Sequence, residues 1–200
     1  MKKSENYNKP KLGSKITVDP IRRMKDIQAI SKLLSDNPRN NLLFVMGTNN
    51  SLRTGDLLKL KVENVKGMKV VDTLIIKEGK TGKRNILVMN KSIYKSLQTY
   101  LEKIKPNDDD FLFVSRKGNK AITVQCVNNM VKHWTRTINL KGNYGAHSLR
   151  KTWGYVQRTV YGVGFEILCK RFNHSSPAIT MRYLGIEDKE VQNILMNEVG

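Results

Sequence analysis

The chain has 200 residues, 39% of them hydrophobic, which is enough for one substantial domain, and it contains no apolar run of the ~18 residues that a membrane-spanning helix needs. Thirty-six Lys and Arg against seventeen Asp and Glu leave a formal charge of +19. An excess that large repels itself in a compact domain, and a polyanionic partner is its usual compensation; an anionic membrane surface fits less well, because no long basic amphipathic helix stands out.

Residues 1–18 are polar, basic and aperiodic and read as a flexible basic arm. Its MKKSENYNKPKLGSK is followed by no apolar segment, so it is not a secretory signal, and a cytoplasmic protein is expected. In IRRMKDIQAISKLL the spacing of Ile27, Ile30, Leu33 and Leu34 predicts a helix, which SDNPRN ends. NLLFVMGTNN reads as a short buried helix, and TGDLLKLKVENV as one more, with Thr54 as its N-cap. VKGMKVVDTLIIKEG is strand-rich, GKTGKR is a glycine-containing turn and NILVMN is the returning strand. A helix is expected from Lys91 to Ile104, then a polar loop at KPNDDD, a short buried strand at FLFVS and a helix from Ile122 to Ile138. From Ser148 onward helices dominate, broken at Tyr161-Gly162-Val163-Gly164 and again at HSSP. With no internal repeat and no boundary inside 20–185, the expected fold is mainly α with a small antiparallel sheet (α+β).

The chain is poor in acids. Its one acidic cluster, Asp108-Asp109-Asp110, reads as a solvated turn, so metal-dependent phosphoryl transfer, which needs several converging carboxylates, is not expected. Cys126 and Cys169 each lack a Cys or His at ligand spacing, so two reduced core thiols are expected rather than a disulfide or a zinc site. The chemistry available is cationic and phenolic. HSLR puts His147 and Arg150 three apart at a helix start, hence on one face. Arg53 stands just ahead of a helix N-terminus, with Asp56 one turn on to hold its guanidinium fork against a phosphate. Lys80 lies at the tip or shoulder of the hairpin, crowded by Lys77, Lys83 and Arg84, all candidate phosphate contacts. His174 and Tyr183 stand nine apart in NHSSPAITMRY.

Taken in order, Arg53, Lys80, His147, Arg150, His174 and Tyr183 resemble the catalytic domain of the tyrosine recombinases, the phage integrase family. NNSLRTGDLLKLKVENV is similar to the family's first Arg box, EGKTGKR to its Lys hairpin, HSLR to its His-x-x-Arg box, and NHSSPAITMRY to its final His and Tyr box. The resemblance runs from about Asp19 to the C-terminus, giving a catalytic domain over 19–185 and a helical tail over 186–200. Two departures stand out: Ser51 where many members have Gly, and Phe172-Asn173 in place of a common Leu-Gly. Neither is expected to touch a reacting group. Most members also carry a helical core-binding domain of about a hundred residues, a typical domain size, ahead of the catalytic one. The chain resembles the short members, such as the fimbrial inversion recombinases, or else a fragment of a longer one.

The resemblance implies a reaction without metal, cofactor or ATP. Tyr183 attacks a phosphodiester of double-stranded DNA, leaving a 3′-phosphotyrosyl link and a 5′-hydroxyl. Arg53 and Arg150 stabilise the phosphate bidentately, and His174 adds a hydrogen bond. Lys80 is the general acid, His147 the base, and Asp56 orients Arg53 or its neighbours. Family resemblance also implies self-association on DNA as a dimer or tetramer and leaves room for an accessory DNA-bending factor. Ile186, Val191, Ile194, Leu195 and Val199 form an apolar stripe in the tail, for docking on a neighbouring protomer or on its own domain. Two alternatives keep the fold: type IB-like DNA relaxation, and a regulatory DNA-binding module without catalysis, against which stands the presence of all six residues.

Overall fold

The computed structural model describes residues 17–186, 192 and 195–198. Eight helices are described: α1 Met24–Leu33, α2 Pro38–Asn49, α3 Thr54–Leu57, α4 Lys91–Ile104, α5 Val124–Thr137, α6 Ala146–Thr159, α7 Phe165–Phe172 and α8 Pro177–Leu184. The β structure is two antiparallel hairpins, β1 Thr73–Lys77 with β2 Arg84–Val88, and β3 Val114–Ser115 with β4 Gly118–Ala121.

Helix starts are written locally. Asn37 accepts a hydrogen bond from the Asn40 N–H, with Pro38 at the first helical position of α2; Asn90, Thr123 and Ser176 cap α4, α5 and α8 in the same way, by accepting an N–H three residues on. The core is centred on α2, whose Leu42, Leu43, Phe44 and Met46 are buried and which packs on α4 and α6. A smaller cluster, Leu168, Phe172, Leu184 and Ile186, joins α7 and α8 to α6. Their approach is close. A Cβ at Gly154 of α6 would lie 2.5 Å from the Phe172 ring and 3.0 Å from Leu184, so only glycine lets the two helices in.

Several expectations change. TGDLLKLKVENV is not one helix: α3 stops after one turn, and Leu60 and Val62, both buried, are joined through the extended Lys61. There Leu60 O accepts from Leu112 N–H, Val62 N–H donates to Asp110 O, and a single 3₁₀ turn follows at Val62–Asn64. Thr54 is not the cap of α3. Arg53 holds that position in extended conformation, and the Thr54 hydroxyl donates instead to Ala146 O at 3.2 Å, tying α3 to the start of α6. FLFVS contributes only its last two residues to a strand, and β4, rich in Gly, Asn and Lys, carried no strand pattern. Cys169 is buried but Cys126 is exposed on α5, so it is not a core thiol. Ile186 packs under α7 and α8, and Leu195 is exposed. Val191, Ile194 and Val199, like residues 1–16 of the arm, lie outside the described residues.

Candidate active site

α6 begins where the extended Gly145 turns into a helix, its N–H donating to the buried Ser148 Oγ and the next N–H, that of Ala146, to Asn128 Oδ1. That start projects His147 and, one turn on, Arg150. Arg150 is 3% exposed; Nη2 donates to Phe172 O at 2.8 Å, and the guanidinium also lies against the Tyr183 hydroxyl. Burial is the main reason its pKa is pulled down to about 10, with Arg53 adding to the effect.

Arg53 is paired with a carboxylate that the sequence reading did not single out. Asp56 does not hold it: Asp56 Oδ1 accepts the Gly79 N–H at 2.8 Å, fastening the hairpin turn beside Lys80. The partner of Arg53 is Glu78, at the end of β1 and 1% exposed. Glu78 also accepts hydrogen bonds from Thr81 Oγ1 and from Asn85 Nδ2, the latter at 2.7 Å. Burial alone would raise its pKa, but donors from Thr81, Arg53, Asn85 and Asn173 outweigh it and hold the carboxyl at about 2. A period-two signal was present: Leu74 and Ile76 face inward, and Glu78 continues that face.

His174 and Tyr183 come from the α7–α8 loop and from α8. His174 Nδ1 lies 2.9 Å from the buried Thr180 Oγ1, and its ring stacks on Phe172 at 5.1 Å and 15°. Burial, then Arg150 and Arg53, lower its pKa to about 4, so it is neutral near pH 7. The Tyr183 hydroxyl is buried beside the Arg150 guanidinium. Burial pushes its pKa up to about 12 against the opposing pull of Arg150 and Arg53. Lys151 Nζ sits 4.8 Å from the Tyr183 ring centroid, a cation beside Tyr183 that the sequence pattern did not single out. His147 is open to solvent on one side; desolvation on the other, then Arg150, Arg53, Lys80 and Lys151, lower its pKa.

Phe172 corrects an expectation. It was not expected to touch a reacting group, yet its ring lies under His174, 5.3 Å from the Tyr183 ring and 5.0 Å from the Arg150 guanidinium. The two departures from the family pattern share a backbone feature: Ser51 and Asn173 both adopt left-handed conformation, with φ of 53° and 57°, where glycine is usually easiest.

One cleft of about 680 Å³ is lined by Arg53, Lys80, His147, Arg150, His174 and Tyr183 together. Thr17 and Val18 form another part of its wall, pinned where Asn143 Nδ2 donates to Thr17 O. Lys77, Lys83 and Arg84 are exposed on the hairpin, and Arg84 and Lys77 line other grooves. Among the described residues no group of three or more His, Cys, Asp or Glu could hold a metal ion, and no helix is long and apolar enough to cross a membrane.

The sequence profile of the phage integrase family matches residues 19–190. The chain belongs to that family. It is 35% identical over 174 residues to the probable integrase/recombinase YoeC of Bacillus subtilis, covering 86% of this chain and 91% of the relative. It is 25% identical to the tyrosine recombinase XerA of Pyrococcus horikoshii over 196 residues, 96% of this chain but 64% of that protein. In three dimensions it is similar to the crystal structure of XerA recombinase, with a TM-score of 0.73 at 18% identity, covering 93% of this chain and 68% of that one. A lambda integrase dimer bound to a core site matches with a TM-score of 0.63 at 15% identity, over 86% of this chain and 49% of that one. By membership the chain is a tyrosine recombinase, and its fold, mostly helical with small antiparallel hairpins, is that of the catalytic domain of this class.

Proposed function

We propose that the chain cleaves and rejoins double-stranded DNA at specific sites through a covalent 3′-phosphotyrosine at Tyr183. One observation carries the reading: Arg53, Lys80, His147, Arg150, His174 and Tyr183 line one cleft, in which the buried Tyr183 hydroxyl lies beside the Arg150 guanidinium. A phosphodiester bound there would accept hydrogen bonds from the two guanidiniums and bring its phosphorus to the phenol.

The chemistry follows from the positions. Tyr183 Oη attacks phosphorus as its proton passes to His147, whose lowered pKa keeps the imidazole neutral and able to accept. The bond from phosphorus to the 5′-oxygen breaks, and that oxygen takes a proton from Lys80. Arg53 and Arg150 meet the charge on the non-bridging oxygens. Rejoining is the reverse, with a 5′-hydroxyl attacking the phosphotyrosine and Tyr183 recovering its proton. Burial holds the resting phenol protonated, at a pKa of about 12, so the nucleophile forms only when phosphate and base are both in place.

DNA as partner accords with the +19 charge, and XerH recombinase with its difH substrate and the lambda integrase dimer on its core site are relatives of the same fold bound to DNA. By the same reasoning this chain pairs with copies of itself on DNA. The test is incubation with nicked suicide duplexes drawn from sequence flanking its own gene, in EDTA. Wild-type chain is expected to give a DNA-linked band on a denaturing gel, and Tyr183→Phe none. Salt-sensitive binding without an adduct would instead favour a regulatory DNA-binding module, and plasmid relaxation without strand exchange would favour a type IB-like activity.

A further inference from the structure

Glu78 occupies an unusual position for a carboxylate. β1 turns Leu74 and Ile76 toward the core, and the next inward position is Glu78, 1% exposed. An apolar side chain would continue that face without the cost of burying a charge. What surrounds Glu78 accounts for the charge. Its carboxylate pairs with Arg53, takes the Thr81 hydroxyl and Asn85 Nδ2, and is bonded by Asn173, the residue before His174.

The backbone of Glu78 also closes the turn that carries Lys80. Its N–H donates to Lys83 O and its carbonyl accepts from Gly82 N–H, both at 2.9 Å. Gly79, between Glu78 and Lys80, is held by Asp56. Nearby, Arg171 Nη1 donates to Asn85 Oδ1 and its Nη2 to Asn50 O and Ile86 O, locking β2 against α7. Arg53 and Arg171 both act on the charge of Arg150, with Glu78 opposing them, and like charges drive each other apart unless an anion lies among them.

We propose that Glu78 is a positioning residue: its carboxylate aims the Arg53 guanidinium at the scissile phosphate and, through Thr81 and the turn backbone, aims Lys80 at the leaving oxygen. This rests on the recombinase reading of the cleft. The residue couples the phosphate clamp to the proton donor, so losing its charge misplaces both groups together.

The test uses the full chain and two suicide duplexes of the sequence that wild type adducts. One has an ordinary 5′-oxygen at the scissile bond and the other a bridging 5′-sulfur, which leaves without a proton. Glu78→Gln is expected to slow single-turnover cleavage about 100-fold on the oxygen duplex and only about 10-fold on the sulfur duplex, because sulfur bypasses Lys80 but not Arg53. Glu78→Asp, which keeps the charge, is expected to recover part of both losses. An unchanged rate, or equal losses on the two duplexes, overturns the proposal. Far-UV circular dichroism reports folding. Should Glu78→Gln not fold, Thr81→Val keeps the Arg53 pair and is expected to slow the oxygen duplex about 10-fold and leave the sulfur duplex unchanged. Equal behaviour on both duplexes overturns the turn coupling. No adduct from wild type on any duplex sinks the recombinase reading instead. The clamp is then read with tungstate, which Glu78→Gln is expected to bind at least about 10-fold more weakly than wild type. Tungstate binding that is absent in wild type, or equal in the two chains, overturns the role for Arg53.

Discussion

Arg150 spreads one guanidinium over two neighbours: Nη2 holds Phe172 O, and the group also lies against the Tyr183 hydroxyl. A lysine has one ammonium and cannot hold the Phe172 carbonyl and a phosphate in a fork. Arg150→Lys is therefore expected to lower the cleavage rate by about 10²–10³-fold while DNA binding, measured by gel shift, changes little. Glu78 has a separate thermodynamic signature. Its folded pKa of about 2 lies below its ordinary 4.5, so it contributes stability above pH 4.5 that is lost as pH falls toward 2. The interval corresponds to about 3 kcal/mol. His174, lowered from 6.5 to about 4, is protonated more readily in the unfolded chain and removes stability over that higher window. Stability by urea unfolding is thus expected to fall from pH 6.5 downward, and Glu78→Gln to flatten only the part below 4.5. An unchanged curve below 4.5 in that variant would contradict the pairing of Glu78.

At the scale of elements, the site is set on packing between helices. Phe172 of α7 fills the space over Gly154 of α6 and supports His174, Tyr183 and Arg150 from below. Gly154→Ala would force that ring upward. It is expected to cost about 1–3 kcal/mol of stability and to slow cleavage beyond what the stability loss explains, measured as unfolding free energy and single-turnover rate. Much of this scale was legible in the chain. Periodicity gave α1, helices were expected where α4 and α5 stand, and the glycine-containing GKTGKR gave the β1–β2 turn. Less legible was what depends on distant partners. The region after Thr54 has a run of apolar residues that suits a helix locally, but Leu60 and Val62 pair with 110–112, about fifty residues away in sequence. Glu78 carried a readable inward register, whereas its pairing with Arg53 depends on the loop before α3 approaching the hairpin. The place of Phe172 likewise follows from a fit between helices that sequence spacing does not encode.

At the scale of the whole molecule, the six cleft residues come from four separate segments, and the chain as a whole carries a formal charge of +19. Binding to duplex DNA is expected to fall by about 10³-fold or more between 50 and 200 mM salt, read as the slope of log affinity against log salt; a flat dependence would contradict a phosphate-dominated interface. The central claim concerns one bond, and the most direct measurement is of that bond. Adduct formed in EDTA on a labelled suicide duplex would be digested with nuclease and trypsin and the modified peptide sequenced by mass spectrometry. The expected result is a 3′-phosphonucleotide on the phenolic oxygen of Tyr183, in the tryptic peptide that follows Arg182. A linkage to any other residue, or to a 5′-phosphate, would contradict the assignment of the nucleophile and of the leaving group.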